Sequence, residues 1–272
     1  MALFLYFLWC LGCFSGSVET PSSEKEAVAS SSTEILQGAL PPALPPDAFQ
    51  DLSAEDLRYI EHNWGLLSTR RDTKLKPEET IAAMGLQPGM SIVDLGAGTG
   101  YFAFRFADVV GETGRVFATD IASGALLYMR AVIDSVSTPQ SPRYSNIELV
   151  LNPIDSTGVA PQSADMVFVC SIHVFAHVGM LSKDVREDSA ASAVDKISSV
   201  HGPFIENIYE TLRPGGRFVY LEGSPGSHDG VSLDGPGVTE LFGRHGFKFV
   251  SQHTHLRNMD MLIFERPAEP AP

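Results

Sequence analysis

The chain has 272 residues, 44% hydrophobic and 19% charged, which suits one ordinary α/β domain plus extra segments and is too apolar for wholesale disorder. Its 19 Lys and Arg face 33 Asp and Glu, and the formal charge of -14 disfavours nucleic-acid backbones and anionic membrane surfaces as partners. Of three cysteines, Cys10 and Cys13 lie in the first apolar stretch and only Cys170 in the body, which excludes an internal disulfide framework and any CxxC-type zinc site in the folded domain, so no metal is expected.

Residues 1–16 are apolar, shorter than the roughly 20 residues that span a bilayer, and have the character of a signal-peptide core. No Lys or Arg precedes Lys25, so only the α-amino group supplies positive charge there. Leu11-Gly12-Cys13 also resembles the end of a bacterial lipoprotein signal, with Cys10 where leucine is usual. Two expectations follow: an exported or membrane-anchored protein, with membrane attachment only through this segment or a lipid on Cys13, or a cytoplasmic one if the segment is not used. Residues 17–50, rich in Ser, Glu, Ala and Pro, read as a flexible tether.

A folded domain is expected over 51–267, leaving 268–272 as a tail. Ser53 followed by Asp56 is a helix-start signal, predicting a helix over about 54–67; a second starts at Pro77 and ends before Gly85. From Met90 strands and helices alternate. Strands are predicted at Ser91–Leu95, Arg115–Thr119, Ile147–Leu151, Met166–Cys170 and Arg217–Leu221. Helices are predicted from about Tyr101 to Val110, over 123–135 and over 203–212. Phe247–His253 and Met259–Glu265 close the domain as two strands around a polar turn. The alternation predicts an α/β fold, a doubly wound, mostly parallel, seven-stranded sheet with an antiparallel edge hairpin.

The strongest local signal is Val93-Asp94-Leu95-Gly96-Ala97-Gly98-Thr99-Gly100-Tyr101-Phe102, a strand that passes through three alternating glycines into a helix. Glycines there let backbone approach a ligand and permit positive φ, and the helix start offers free N–H groups to an anion. A dinucleotide frame can be read as Gly98-x-Gly100-x-x-Ala103, but it starts four residues beyond the acid at the strand's end. The other frame, Asp94-x-Gly96-x-Gly98-x-Gly100, puts the acid inside the strand's end and resembles motif I of the class I S-adenosylmethionine-dependent methyltransferases.

That resemblance runs in order over roughly 70–266. Asp120 ends the second strand, where a carboxylate can accept both ribose hydroxyls, although a nicotinamide site would use one too. Asn152-Pro153-Ile154-Asp155 follows the third strand, and Leu212-Arg213-Pro214-Gly215-Gly216-Arg217-Phe218 matches the turn before the fifth. The resemblance implies a Rossmann-like methyltransferase fold with S-adenosylmethionine as methyl donor. It implies that Asp94, Gly96, Ala97, Gly98, Gly100 and Tyr101 enclose the methionyl half of the cofactor. Asp120 would hold the ribose, Ile121 would lie beside the adenine, and Asp155 would meet its amino group. Cys170, at the end of the fourth strand, joins this set or is simply a small buried hydrophobe. Asp165 in Ser163-Ala164-Asp165 is expected to be structural.

On the acceptor side the pattern departs from the bacterial small-molecule subgroup it otherwise resembles, which often has Tyr-His-His after the fourth strand. This chain has Ser171-Ile172-His173-Val174-Phe175-Ala176-His177 instead. His173 and His177 would share one face of a helix and are the candidate catalytic residues, with packing as the alternative. Ser182–Ser199 reads as a lid helix or a solvated insertion. The expected function is methyl transfer to a small-molecule acceptor. The alternatives are a non-catalytic S-adenosylmethionine-binding domain and a nicotinamide-binding oxidoreductase. Acceptor and oligomeric state are left open.

Overall fold

Apolar runs bounded by turns give strands that can be buried on both faces, and the central strands of this chain are of that kind. The computed structural model describes residues 53–63, 71–170, 190–223, 235–254, 256 and 259–268. Its seven strands are β1 (Ser91–Leu95), β2 (Arg115–Asp120), β3 (Ile147–Leu151), β4 (Ala164–Cys170), β5 (Leu212–Gly223), β6 (Lys248–His253) and β7 (Met259–Glu265), ordered β3-β2-β1-β4-β5-β7-β6. The pairings β3·β2, β2·β1, β1·β4 and β4·β5 are parallel, whereas β7 is antiparallel to both β5 and β6. This is the expected α/β class, a mostly parallel sheet with an antiparallel edge pair.

Seven described helices cover the sheet: α1 (Ala54–Asn63), α2 (Asp72–Leu75), α3 (Pro77–Met84), α4 (Ala103–Val110), α5 (Ser123–Val136), α6 (Ala190–Thr211) and α7 (Gly235–Arg244). Strand residues alternate between two cores. Ile92, Val116, Ala118, Met166, Phe168 and Val219 pack with α3, α4 and α5. Val93, Leu95, Val167, Val169, Phe218 and Phe264 pack with α6 and α7. The period of two therefore puts Asp94 on the α3–α5 side, at the carboxyl end of β1.

Polar ties fix the layers. Asp165 accepts the Ser91 N–H at 2.8 Å through one oxygen and meets Arg213 at 2.6 Å through the other, pinning the starts of β1, β4 and β5 together. That geometry is structural, as the sequence suggests. Ser53 caps α1 by accepting the Asp56 N–H at 3.1 Å. Asp56 in turn accepts from the Ser123 hydroxyl at 2.6 Å, and a Cβ on Gly124 would lie 3.0 Å from the Cβ of Tyr59, so α1 docks closely on the start of α5.

Three elements differ from the sequence expectation. The helix expected at 203–212 begins at Ala190 and runs through Pro203, because Val194, Ile197, His201, Phe204, Ile205 and Ile208 recur at helical spacing and are all buried. Residues 190–199 are thus the first half of a core helix and not a separate lid; 182–189 lie outside the described residues. The Pro214-Gly215-Gly216 segment is a bulged part of β5, whose register against β4 shifts between Ala164 and Met166, and not a reversal before the strand. A helix, α7, stands where none is predicted, with Val238, Leu241 and Phe242 buried.

Candidate cofactor site

In an open doubly wound sheet, ligands bind beyond the carboxyl ends of the strands where the strand order reverses, here between β1 and β4. Motif residues collect at that edge. Leu95 is level with Thr119 of β2 and Val169 of β4, so Gly96 follows β1 just where Asp120 and Cys170 end their own strands. The N–H groups of Gly96 and Ala97 both donate to the Thr119 carbonyl at 2.9 Å, stitching the loop to β2. Gly100 has φ +92°, and a Cβ there would fall 2.7 Å from the Phe104 ring, so only glycine admits this tight entry into α4.

Asp94 is 2% exposed, and its Oδ2 has no hydrogen-bond partner. Burial pushes its carboxyl up to about 7, reinforced by the neighbouring Asp120, while the Ala103 N–H and the Arg71 charge act in the opposite direction. Asp120 is buried as well, and that burial raises its carboxyl above the usual range. Its Oδ2 accepts the Gly98 N–H at 2.8 Å and its Oδ1 the Ala122 N–H at 2.9 Å, which aims the carboxylate and leaves lone pairs on both oxygens. Two buried acids, one with an unanswered oxygen, form a site for a ligand that brings positive charge and hydroxyl donors together.

A family model for the methyltransferase domain matches residues 86–230. The chain belongs to the class I S-adenosylmethionine-dependent methyltransferase family. It is 28% identical over 153 residues to the ubiquinone/menaquinone biosynthesis C-methyltransferase UbiE of Haemophilus ducreyi, covering 56% of this chain and 49% of the relative. The Pseudoalteromonas translucida UbiE is 26% identical over 159 residues, covering 58% and 53%. The chain thus spans about half the length of these curated relatives. Its fold matches that of an Aquifex aeolicus SAM-dependent methyltransferase structure at TM-score 0.55 and 14% identity, over 78% of this chain and 99% of the other.

S-adenosylmethionine is the methyl donor of this methyltransferase family, and the residues present fit it. The unanswered Asp94 oxygen suits the methionyl ammonium, and Asp120 suits the ribose hydroxyls. Ile121 is 45% exposed directly after Asp120, an apolar surface at the place where a base would rest. Asp155 lies exposed in the turn after β3, whereas Asn152 is buried and its side-chain N–H groups donate to the Pro153 and Ser156 carbonyls. Cys170 is half-buried at the end of β4. The Tyr101 ring turns toward α2, its hydroxyl donating to Asp72. His173 and His177 lie outside the described residues.

Sequence reasoning missed the surroundings of Tyr101. Arg105 could have been found, being one helical turn beyond Tyr101, and its Nη1 donates to the Tyr101 carbonyl at 2.7 Å. Arg71 and Asp72 carry no local signal, because only the fold brings them to a residue about thirty positions away.

Proposed function

We propose that this chain transfers a methyl group from S-adenosylmethionine to a small-molecule acceptor. The observation that carries the proposal is the buried Asp94 with its unanswered oxygen beside Asp120, at the carboxyl ends of adjacent parallel strands. When bound, S-adenosylmethionine supplies a methyl carbon activated by its sulfonium. Asp94 and Asp120 hold and orient the donor. In-line displacement on such a carbon depends chiefly on alignment, so positioning by the chain supplies most of the rate.

The relatives named above are C-methyltransferases of ubiquinone and menaquinone biosynthesis, which favours a carbon nucleophile on a small ring compound as the first acceptor to try. For a hydroxyl acceptor, His173 or His177 is the proposed base. The apolar 1–16 segment supports a place outside the cytoplasm or at a membrane through the N-terminus. No helix among the described residues is long and apolar enough to cross a membrane.

Incubation of the full chain with labelled S-adenosylmethionine and a panel of quinols, phenols and amines tests the proposal. Label transferred to an organic product is the expected result. With a hydroxyl acceptor, His173→Ala or His177→Ala should lower turnover about a hundredfold while cofactor affinity stays the same. Binding of NAD with no binding of S-adenosylhomocysteine would overturn the reading.

A further inference from the structure

Ser198, Gly202 and Glu206 recur at four-residue spacing and so lie on one face of α6. The imidazole of His245, in the turn that follows α7, lies along that face. Its Nε2 is 2.9 Å from the Ser198 hydroxyl, and its Nδ1 is 3.5 Å from the Glu206 carboxylate. Gly202 makes the seat for the ring, because a Cβ there would fall 3.0 Å from His245 Cε1. Arg244 pins the end of α7 to α6 one turn before Ser198, meeting Asp195 at 2.5 Å. These groups belong to the side of the sheet covered by α6 and α7, opposite to that of Asp94, and the methyl-transfer reading uses none of them.

A hydroxyl is a weak nucleophile until a base takes its proton, and the base must itself be held by a third group. Hydroxyl, imidazole and carboxylate follow one another here in that order. The His245 side chain is 9% exposed, so packing fixes its ring, while Ser198 is half-buried and open to a reactant from solvent. With the hydroxyl donating to Nε2, the imidazole proton sits on Nδ1 and faces the carboxylate. The Ser198 N–H lies beyond the first four residues of α6 and serves the helix. A developing oxyanion is therefore met by water, which confines the site to esters with a good leaving group.

We propose that Ser198 is an acyl-accepting nucleophile for small activated esters such as aryl esters, with His245 as its general base and Glu206 as a positioning residue. The Ser198 Oγ forms a bond to the ester carbonyl carbon as the bond from that carbon to the aryl oxygen breaks. The Oγ proton passes to His245 Nε2 and from there to the departing phenolate. Water then gives a proton to Nε2 and attacks the acyl carbon, which releases a carboxylic acid and returns the proton to Oγ. The sequence consumes ester and water only.

The test treats the full chain with 4-nitrophenyl acetate, follows nitrophenolate release, and maps acetyl groups by peptide mass spectrometry. The peptide holding Ser198 should carry acetyl earlier than any other serine. Ser198→Ala should remove that label and the nitrophenolate released with it, and thermal melts should show its fold intact. His245→Gln, which keeps a polar side chain over Gly202, should slow acetylation of Ser198 about a hundredfold or more, the usual range for losing a general base. Glu206→Gln should slow it about tenfold, and Glu206→Asp, which keeps the charge, should recover part of that loss. Acetylation confined to other residues, or an unchanged rate at Ser198 in His245→Gln, would overturn the proposal and leave the cluster as a clasp between α6 and α7.

Discussion

Replacing Asp94 with asparagine separates what this carboxylate does for the ligand from what it does to the fold. Burial raises its carboxyl from 3.8 to about 7. At about 1.4 kcal/mol per pKa unit, holding it ionised in the unliganded protein costs on the order of 4 kcal/mol above pH 7. The sign follows from the direction of the shift. Below pH 4 the group is protonated in folded and unfolded chains alike, and no penalty exists. Between pH 4 and 7 the unfolded chain loses the proton first, so stability falls as pH rises, and above 7 it levels. The asparagine side chain carries no charge but leaves an unmatched amide N–H, at roughly 1–3 kcal/mol. The unliganded Asp94→Asn protein should therefore be about 1–3 kcal/mol more stable than the parent at pH 8, a Tm rise of roughly 2–4 °C per kcal/mol for a domain of this size. At pH 4, where no charge penalty exists, the variant should instead be about 1–3 kcal/mol less stable than the parent through the unmatched amide N–H. Binding should move the other way, because the ammonium loses its charged acceptor: S-adenosylhomocysteine should bind on the order of a hundredfold more weakly. For the parent, affinity should fall about tenfold per pH unit below 7, as Asp94 must shed its proton before it accepts the ammonium. Thermal melts at pH 4.5 and 8, with calorimetry at pH 6, 7 and 8, read all three effects. Equal destabilisation of the variant at both pH values, or unchanged affinity, would refute the reasoning.

Two further outcomes are expected. Asp120→Ala should weaken S-adenosylhomocysteine at least tenfold by calorimetry, since it removes the ribose acceptor and also frees the Gly98 and Ala122 N–H groups that shape the loop. Asp165→Ala should lower stability by about 1–2 kcal/mol, chiefly through the unmatched Ser91 N–H because the Arg213 pair is partly exposed, and denaturant melts should show this with ligand affinity unchanged.

Much of the sheet could be read from local pattern. Apolar runs of strand length separated by helical spacing placed the strands almost where they are found, because burial on both faces demands uninterrupted apolar residues. The glycine loop was legible for a similar reason: close backbone approach leaves a mark in residue type that neighbouring residues cannot disguise. The helices at 190–202 and 235–244 escaped notice because Gly202 and Pro203 in one, and Gly235, Pro236 and Gly237 in the other, are breakers by propensity. Packing of Val194, Ile197, Val238 and Phe242 against the sheet outweighed that preference.

Sequence by itself determined the fold class and the course of the glycine loop from β1 into α4, with Asp94 and Asp120 at the carboxyl ends of their strands, since each is written in residues adjacent along the chain. Tertiary structure alone decided the charge environment of that site. The burial that raises Asp94 toward neutrality, the unanswered oxygen, and the arrival of Arg71 and Asp72 at Tyr101 depend on how elements far apart in the chain come together. Electrostatic energies depend on distance and solvent exclusion in space, and neither is set by order along the chain.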